Sequence, residues 1–161
     1  MNTRGQALID ALKLEPHPEG GYYREVFRSE HTVFPTDERS ERRALTAIYF
    51  LLYAGQHSRW HCVQSDEIWS HLEGEPIELY AFDAKRGRMT RDRVGRHSPG
   101  SEPVHVIPAG LWQAAVPLGE YCLVGCSVGP GFEFSDFRLA SDDPTVADAI
   151  RAQGAEFARL L

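Results

Sequence analysis

Lysine is almost missing from this 161-residue chain: Lys13 and Lys85 are its only two, and the other 15 cations are arginines. No basic run or stripe occurs and the formal net charge is −6, which argues against a nucleic-acid partner and leaves room only for a local, phosphate-sized Arg site. Cysteine is scarce as well. Cys62, Cys122 and Cys126 form an odd set with no C-x-x-C pair, so a disulfide framework is not expected and a reducing, cytoplasmic location is. The even spacing of Cys122 and Cys126 puts them on one face of a predicted strand, as small buried hydrophobes. No run of 18 apolar residues exists, and the N-terminus has no basic segment leading into an apolar one; neither a membrane partner nor secretion is expected. Repeats and low-complexity segments are absent too. What remains is ordinary globular composition, 42% hydrophobic and 25% charged. A chain of this length buries roughly 70% of its unfolded surface, and one domain spanning 1–161 is the expectation.

Residues 3–14 carry Ala7, Leu8, Ala11 and Leu12 at helical spacing, with Glu15-Pro16 as the stop. His17-Pro-Glu-Gly-Gly21 reads as a turn or loop. Tyr22–Ser29 reads as a strand with Tyr23, Glu25 and Phe27 on one face and Tyr22, Arg24, Val26 and Arg28 on the other. Residues 30–43 hold seven charged side chains and a proline and read as a mobile loop, a lid or a disordered segment. From Ala44 onward the pattern is strand after strand: Leu45–Leu52, Ser58–Val63, Glu67–Leu72, Ile77–Asp83, Met89–Val94, Val104–Ile107, Gln113–Pro117 and Tyr121–Val128. Short strands with turns every 8–12 residues predict an all-β sandwich or barrel. Asp143-Pro144 predicts the start of a C-terminal helix, with Asp as N-cap and Pro in the first turn.

The chemistry concentrates between Gly55 and Gly74. His61 and Val63, two apart on one strand, face the same way, and Glu67 can reach the same spot from the returning strand. The spacing of Gly55, His61, Val63, Glu67 and Gly74 resembles the first conserved motif of the cupin superfamily, a glycine followed by His-x-His, a Glu and a second glycine. Pro108-Ala-Gly110-Leu-Trp-Gln113 resembles the second, Pro-x-Gly-x-x-His. Two of the family's three metal-binding histidines are replaced, by Val63 and Gln113. One imidazole in place of three removes most of the expected metal affinity. No cofactor is therefore expected; if a divalent metal binds, His61, Glu67 and Gln113 are its candidate ligands, with His71 as a possible replacement. Without a metal, burial raises the pKa of Glu67 and lowers that of His61 while their attraction opposes both shifts, giving either a pair suited to proton transfer or a pair that only shapes the pocket.

His17-Pro-Glu-Gly-Gly-Tyr-Tyr-Arg-Glu25, Ser65-Asp-Glu-Ile-Trp69 and the run from Gly125 to Phe137 look like the cupin-5 branch, which is similar in fold to the dTDP-4-dehydrorhamnose 3,5-epimerases. The resemblance, covering about Leu8 to Leu139, implies a double-stranded β-helix (cupin jelly-roll) barrel with short N- and C-terminal helices. It also implies a homodimer paired through an edge strand near the N-terminus. By analogy with those metal-free epimerases it implies a small-molecule isomerase or epimerase with His61 and Glu67 as the catalytic acid–base pair. Tyr23, Tyr49 and Tyr80 are the tyrosines on strands from which a proton donor could come. Gln113, Trp69, His71, Tyr23 and Phe134 are the candidate substrate-binding residues, with Phe132 as a further stacking wall. Arg24, Arg28 and Arg59 are possible contacts, but no Arg cluster suits a nucleoside diphosphate. Two other classes stay open: a non-catalytic binding or sensing protein using the same pocket, and a metal-dependent oxygenase or isomerase.

Overall fold

The computed structural model describes residues 3–161. Helix α1 (Thr3–Leu12) leads into β1 (Glu15–Pro16), β2 (Tyr22–Arg28), the short β3 (Thr32–Val33) and β4 (Arg42–Arg43), and then β5 (Thr46–Tyr53). There follow β6 (Ser58–Val63), β7 (Asp66–Gly74), β8 (Ile77–Asp83), β9 (Arg88–Val94), β10 (Val104–Ile107), β11 (Trp112–Pro117) and β12 (Tyr121–Gly129). Strand β13 (Phe137–Leu139) and helices α2 (Pro144–Gln153) and α3 (Ala155–Ala158) close the chain. Two antiparallel sheets face each other, one ordered β1-β2-β5-β12-β7-β10 and the other β13-β6-β11-β8-β9. This is a jelly-roll barrel with short terminal helices, as the spacing of strands and turns predicts.

Both sheets are covered over part of their outer faces, which explains strands such as β5 that are apolar throughout, while Ile68, Leu72, Val104 and Val106 on β7 and β10 stay exposed. Alternation sends Ile48, Phe50 and Leu52 inward, while Tyr49, Leu51 and Tyr53 join Leu8, Ile9 and Leu12 of α1 on the outside. On the other sheet Trp60, Cys62, Tyr80, Phe82 and Trp112 face out against Val146, Ile150, Phe157 and Leu160 from the C-terminal helices. Ile150 and Leu160 are wholly buried there, each contributing about 1.5–3 kcal/mol relative to exposure. Asp143 caps α2, its carboxylate accepting from the Val146 N–H at 3.2 Å, with Pro144 opening the helix. Among the described residues no helix is long and apolar enough to cross a membrane.

Two expectations are corrected. Residues 30–43 are a pinned excursion rather than a mobile loop: β3 pairs with β4, and Arg39 and Arg42 both converge on the buried Asp136. The Arg42–Asp136 contact is bidentate, at 2.8 and 2.7 Å, a geometry that holds a guanidinium to a carboxylate far more firmly than a simple surface ion pair. In β2 the two faces are not Tyr23/Glu25/Phe27 and Arg28/Val26. The register with β5 slips between Glu25 and Phe27, and this bulge turns Arg28 to the inner side while Phe27 is exposed.

Candidate active site

One end of the barrel is filled by the apolar core and the other holds a cavity of about 300 Å³. Trp69 and Phe50, in T-shaped contact at 5.9 Å, belong to the core and also line the cavity. The six-stranded sheet supplies Tyr23, Glu25, Arg28, Glu67 and Cys126, and the five-stranded sheet supplies His61, Val63 and Phe137. Loops add His17 and Glu19 on one side and Phe132, Glu133 and Phe134 on the other. A concave site with aromatic walls and a few converging polar groups is where small molecules bind.

His61 is 2% exposed and its partners set its tautomer. Nδ1 lies 2.8 Å from the Arg59 carbonyl oxygen. A carbonyl can only accept, so Nδ1 carries the proton and Nε2 presents its lone pair. That lone pair faces Glu19 Oε2 at 3.2 Å, while the Ser58 hydroxyl donates to Glu19 Oε1 at 2.9 Å. Burial drives the Glu19 carboxyl up to about 8 and outweighs the opposing pull of Ser58 and Arg59; burial also lowers His61. At neutral pH one proton thus lies between a reluctant carboxylate and a reluctant imidazolium. His17 is held neutral by burial and by neighbouring His61, its pKa lowered to about 4. Its Nδ1 accepts from the Glu19 N–H at 3.2 Å, so its proton sits on Nε2.

Glu67, from the facing sheet, is 7% exposed. Burial raises it to about 7, with His61 pulling the other way. Its orientation comes from a chain of three residues: Trp69 Nε1 donates to Gln113 Oε1 at 3.0 Å, and Gln113 Nε2 donates to Glu67 Oε2 at 2.5 Å. An indole N–H can only donate, so the Gln113 oxygen must turn to Trp69 and its NH₂ to Glu67. This orientation bears on the ligand set that the resemblance implies. At the positions of two ligand histidines stand Val63, which has no donor atom, and Gln113, which aims N–H groups at Glu67. Among the described residues no group of three or more His, Cys, Asp or Glu side chains is placed to hold a metal ion. The ligand set that the resemblance implies is therefore incomplete, with only His61 and Glu67 of its four members in place.

At the mouth, Arg28 is held by Glu25 through Nε at 2.9 Å and Nη2 at 2.8 Å, by Glu133 at 2.7 Å, and by the Phe132 carbonyl at 3.1 Å. Phe132, Phe134 and Phe137 stand nearly perpendicular to one another, with centroids 5.1–6.2 Å apart. Tyr23 packs edge-on against His17 at 4.5 Å.

Of the residues singled out in the sequence, His61, Glu67, Trp69, Tyr23, Phe134 and Phe132 line this cavity together. Gln113 is buried behind it and reaches it only through Glu67. His71 lies beyond Trp69, outside the lining, with Nε2 3.1 Å from the Gly74 carbonyl. Tyr49 and Tyr80 face outward into the helix-covered layers. Arg24 lies over the Tyr49 ring at 5.9 Å, and Arg59 donates to the Pro18 carbonyl at 2.6 Å. Of these arginines only Arg28 lines the cavity. Sequence reasoning missed Glu19, His17 and Glu25 as site residues. Their signal was present: all three belong to the His17–Glu25 segment that carries the family resemblance.

Residues 6–140 match the family described as Cupin superfamily (DUF985). A hypothetical protein from Leishmania major is 31% identical, with TM-score 0.84, over 96% of this chain and 97% of its own. A protein from Shewanella oneidensis is likewise 31% identical at TM-score 0.84, over 97% and 95% of the two chains. Oxalate decarboxylase from Lactobacillus farciminis, in its formate complex, is similar in fold alone: 20% identity, TM-score 0.58, 87% of this chain and 38% of that one. No curated protein matches significantly.

Proposed function

The chain belongs to the cupin superfamily, in its DUF985 family, and we propose that it is a metal-independent small-molecule enzyme of isomerase or epimerase type. One observation carries the reading: Glu19 and Glu67 are buried around one cavity with pKa values raised to about 8 and about 7. Two groups tuned to neutrality on different elements suit a reaction that removes a proton from one place and returns one at another. The substrate is a compound with a C–H beside a carbonyl. Ionised Glu67, steered by Gln113, takes that proton; the C–H pair moves into the new C=C bond and the carbonyl oxygen becomes an oxyanion. Neutral His17, with its proton on Nε2, is the donor available to that oxygen. The proton shared by Glu19 and His61 is then delivered to carbon as the oxyanion collapses, and solvent resets both groups.

The test is exchange in D₂O. A panel of carbonyl metabolites is incubated with the protein and followed by NMR for deuterium entering next to the carbonyl. At least one compound should exchange, and Glu67→Gln should slow it by about 10²–10⁴-fold. A compound that stabilises the fold but never exchanges would replace this reading with the binding or sensing one.

A further inference from the structure

Charge and walls together narrow what the cavity can hold. Among the described residues its single lining cation is Arg28, and four of the five guanidinium N–H groups already donate to Glu25, Glu133 and the Phe132 carbonyl. An anionic substrate would have to displace two carboxylates to reach it, and would meet them both on entry. Around that clamp the lining is acidic and aromatic: Glu25 and Glu133 outnumber Arg28, and both histidines are neutral with lowered pKa. Phe132, Phe134 and Phe137 meet edge-to-face and form a corner rather than a flat stack, with one face of Phe134 over His17 at 6.2 Å and one face of Phe137 over His61 at 5.4 Å. Ring faces carry negative electrostatic potential and attract cations brought within about 6 Å, most strongly when water is excluded. The cavity, about 300 Å³, is at the small end of ligand pockets.

We infer that the cavity selects a small molecule bearing a positively charged nitrogen, an amine or alkylammonium, with that group against the Phe132–Phe134–Phe137 corner and facing Glu25 and Glu133. The inference rests on the proposed enzyme reading for the fate of the rest of the substrate: the cationic group anchors at the mouth and the carbonyl portion reaches Glu67. Anchoring itself is independent of turnover.

The test compares three probes of one shape and different charge: benzylamine, benzyl alcohol and phenylacetate. Dissociation constants are measured by calorimetry or ligand-observed NMR at low and moderate salt. Benzylamine should bind about tenfold tighter than benzyl alcohol, and phenylacetate weakest. The Glu25→Gln/Glu133→Gln double variant should erase most of the cation preference. Phe134→Leu, a change at a half-exposed ring that leaves the Arg28 clamp in place, should weaken benzylamine and leave benzyl alcohol nearly unchanged. Phenylacetate binding as tightly as benzylamine, no benzylamine binding at about 10 mM, or a preference unchanged in both variants overturns the inference. The wild type separates this from the enzyme reading: cation binding without any D₂O exchange condemns only the enzyme, and exchange of a carbonyl compound with no preference for benzylamine over benzyl alcohol condemns only the anchor.

Discussion

Trp69 Nε1 donates to Gln113 Oε1 at 3.0 Å, and that bond fixes what Glu67 meets. Because the indole can only donate, the amide cannot flip, and its NH₂ is committed to the Glu67 carboxylate. Gln113→Leu removes both contacts and leaves a buried indole N–H and a buried carboxylate short of partners. The expected loss is about 2–4 kcal/mol in urea unfolding. The Glu67 pKa should also rise further, since the Gln113 donor holds it down. A change below about 1 kcal/mol would mean the chain contributes little to the site's rigidity.

The same bond turns the Gln113 oxygen toward Trp69 and away from Glu67. Replacing both altered positions, Val63→His with Gln113→His, restores three imidazoles beside Glu67, the donor set of the fold family's metal sites. Elemental analysis of untagged protein should find close to one transition-metal equivalent in the double variant. The wild type should retain less than about a tenth of an equivalent after soaking with Mn, Fe, Ni or Zn. A full equivalent in the wild type would end the metal-free mechanism.

The barrel was largely legible in the sequence because strand alternation and turn glycines are local signals, and each main strand falls within two residues of its expected ends. His61, Glu67, Trp69 and Tyr23 were legible for the same reason: two-residue periodicity sends them inward. What escaped was set by irregular backbone. Glu19 turns inward from a loop whose Gly20 and Gly21 adopt φ of +112° and +72°, conformations costly for any side chain-bearing residue. A Cβ at Gly20 would also strike the His57 carbonyl. Arg28 was named as a possible contact, but on the wrong face of its strand: one bulge reversed it, and no periodicity argument sees a bulge in advance. The pinning of residues 30–43 depends on Asp136, almost a hundred residues away along the chain.

Asp136 should therefore govern the behaviour of that segment. Its carboxylate is held below the usual range by hydrogen bonds from Arg42 and Arg39, against the effect of burial. Asp136→Ala removes the bidentate carboxylate partner of Arg42 and one partner of Arg39, leaving Arg39 to Asp37 and Ser65 and Arg42 to Ser40 and the Glu41 carbonyl. The expected outcome is a loss of about 1–3 kcal/mol and new tryptic cleavage after Arg39 or Arg42 under native conditions. Unchanged protease resistance would show that the β3–β4 pairing suffices without the ion pairs.

The buried titrating groups predict an uneven dependence of stability on pH. Glu19 and Glu67 hold protons in the folded state up to about 8 and about 7, whereas the unfolded chain releases them near 4.5. The folded state then binds more protons, and stability falls as pH rises through that window. His17 acts in the opposite sense: folded it titrates near 4, unfolded near 6.5, so stability rises with pH between those values, and the lowered His61 adds to this. Below about 6.5 the two trends oppose each other; from about 6.5 to 8 only the carboxylates remain. Cys122, raised to about 12, and Cys126 contribute only above their ordinary value of 9. Stability should therefore drop by about 2 kcal/mol between pH 6.5 and 8. Glu19→Gln imitates the protonated carboxyl: its oxygen can accept from Ser58 and its NH₂ can donate to His61 Nε2. It should fold normally, flatten most of the decline and become more stable than the wild type at pH 8, as urea unfolding across the pH series will show. A wild type as stable at pH 8 as at 6.5 would place the shared proton elsewhere and remove the chemical basis for using the Glu19–His61 pair as the returning acid.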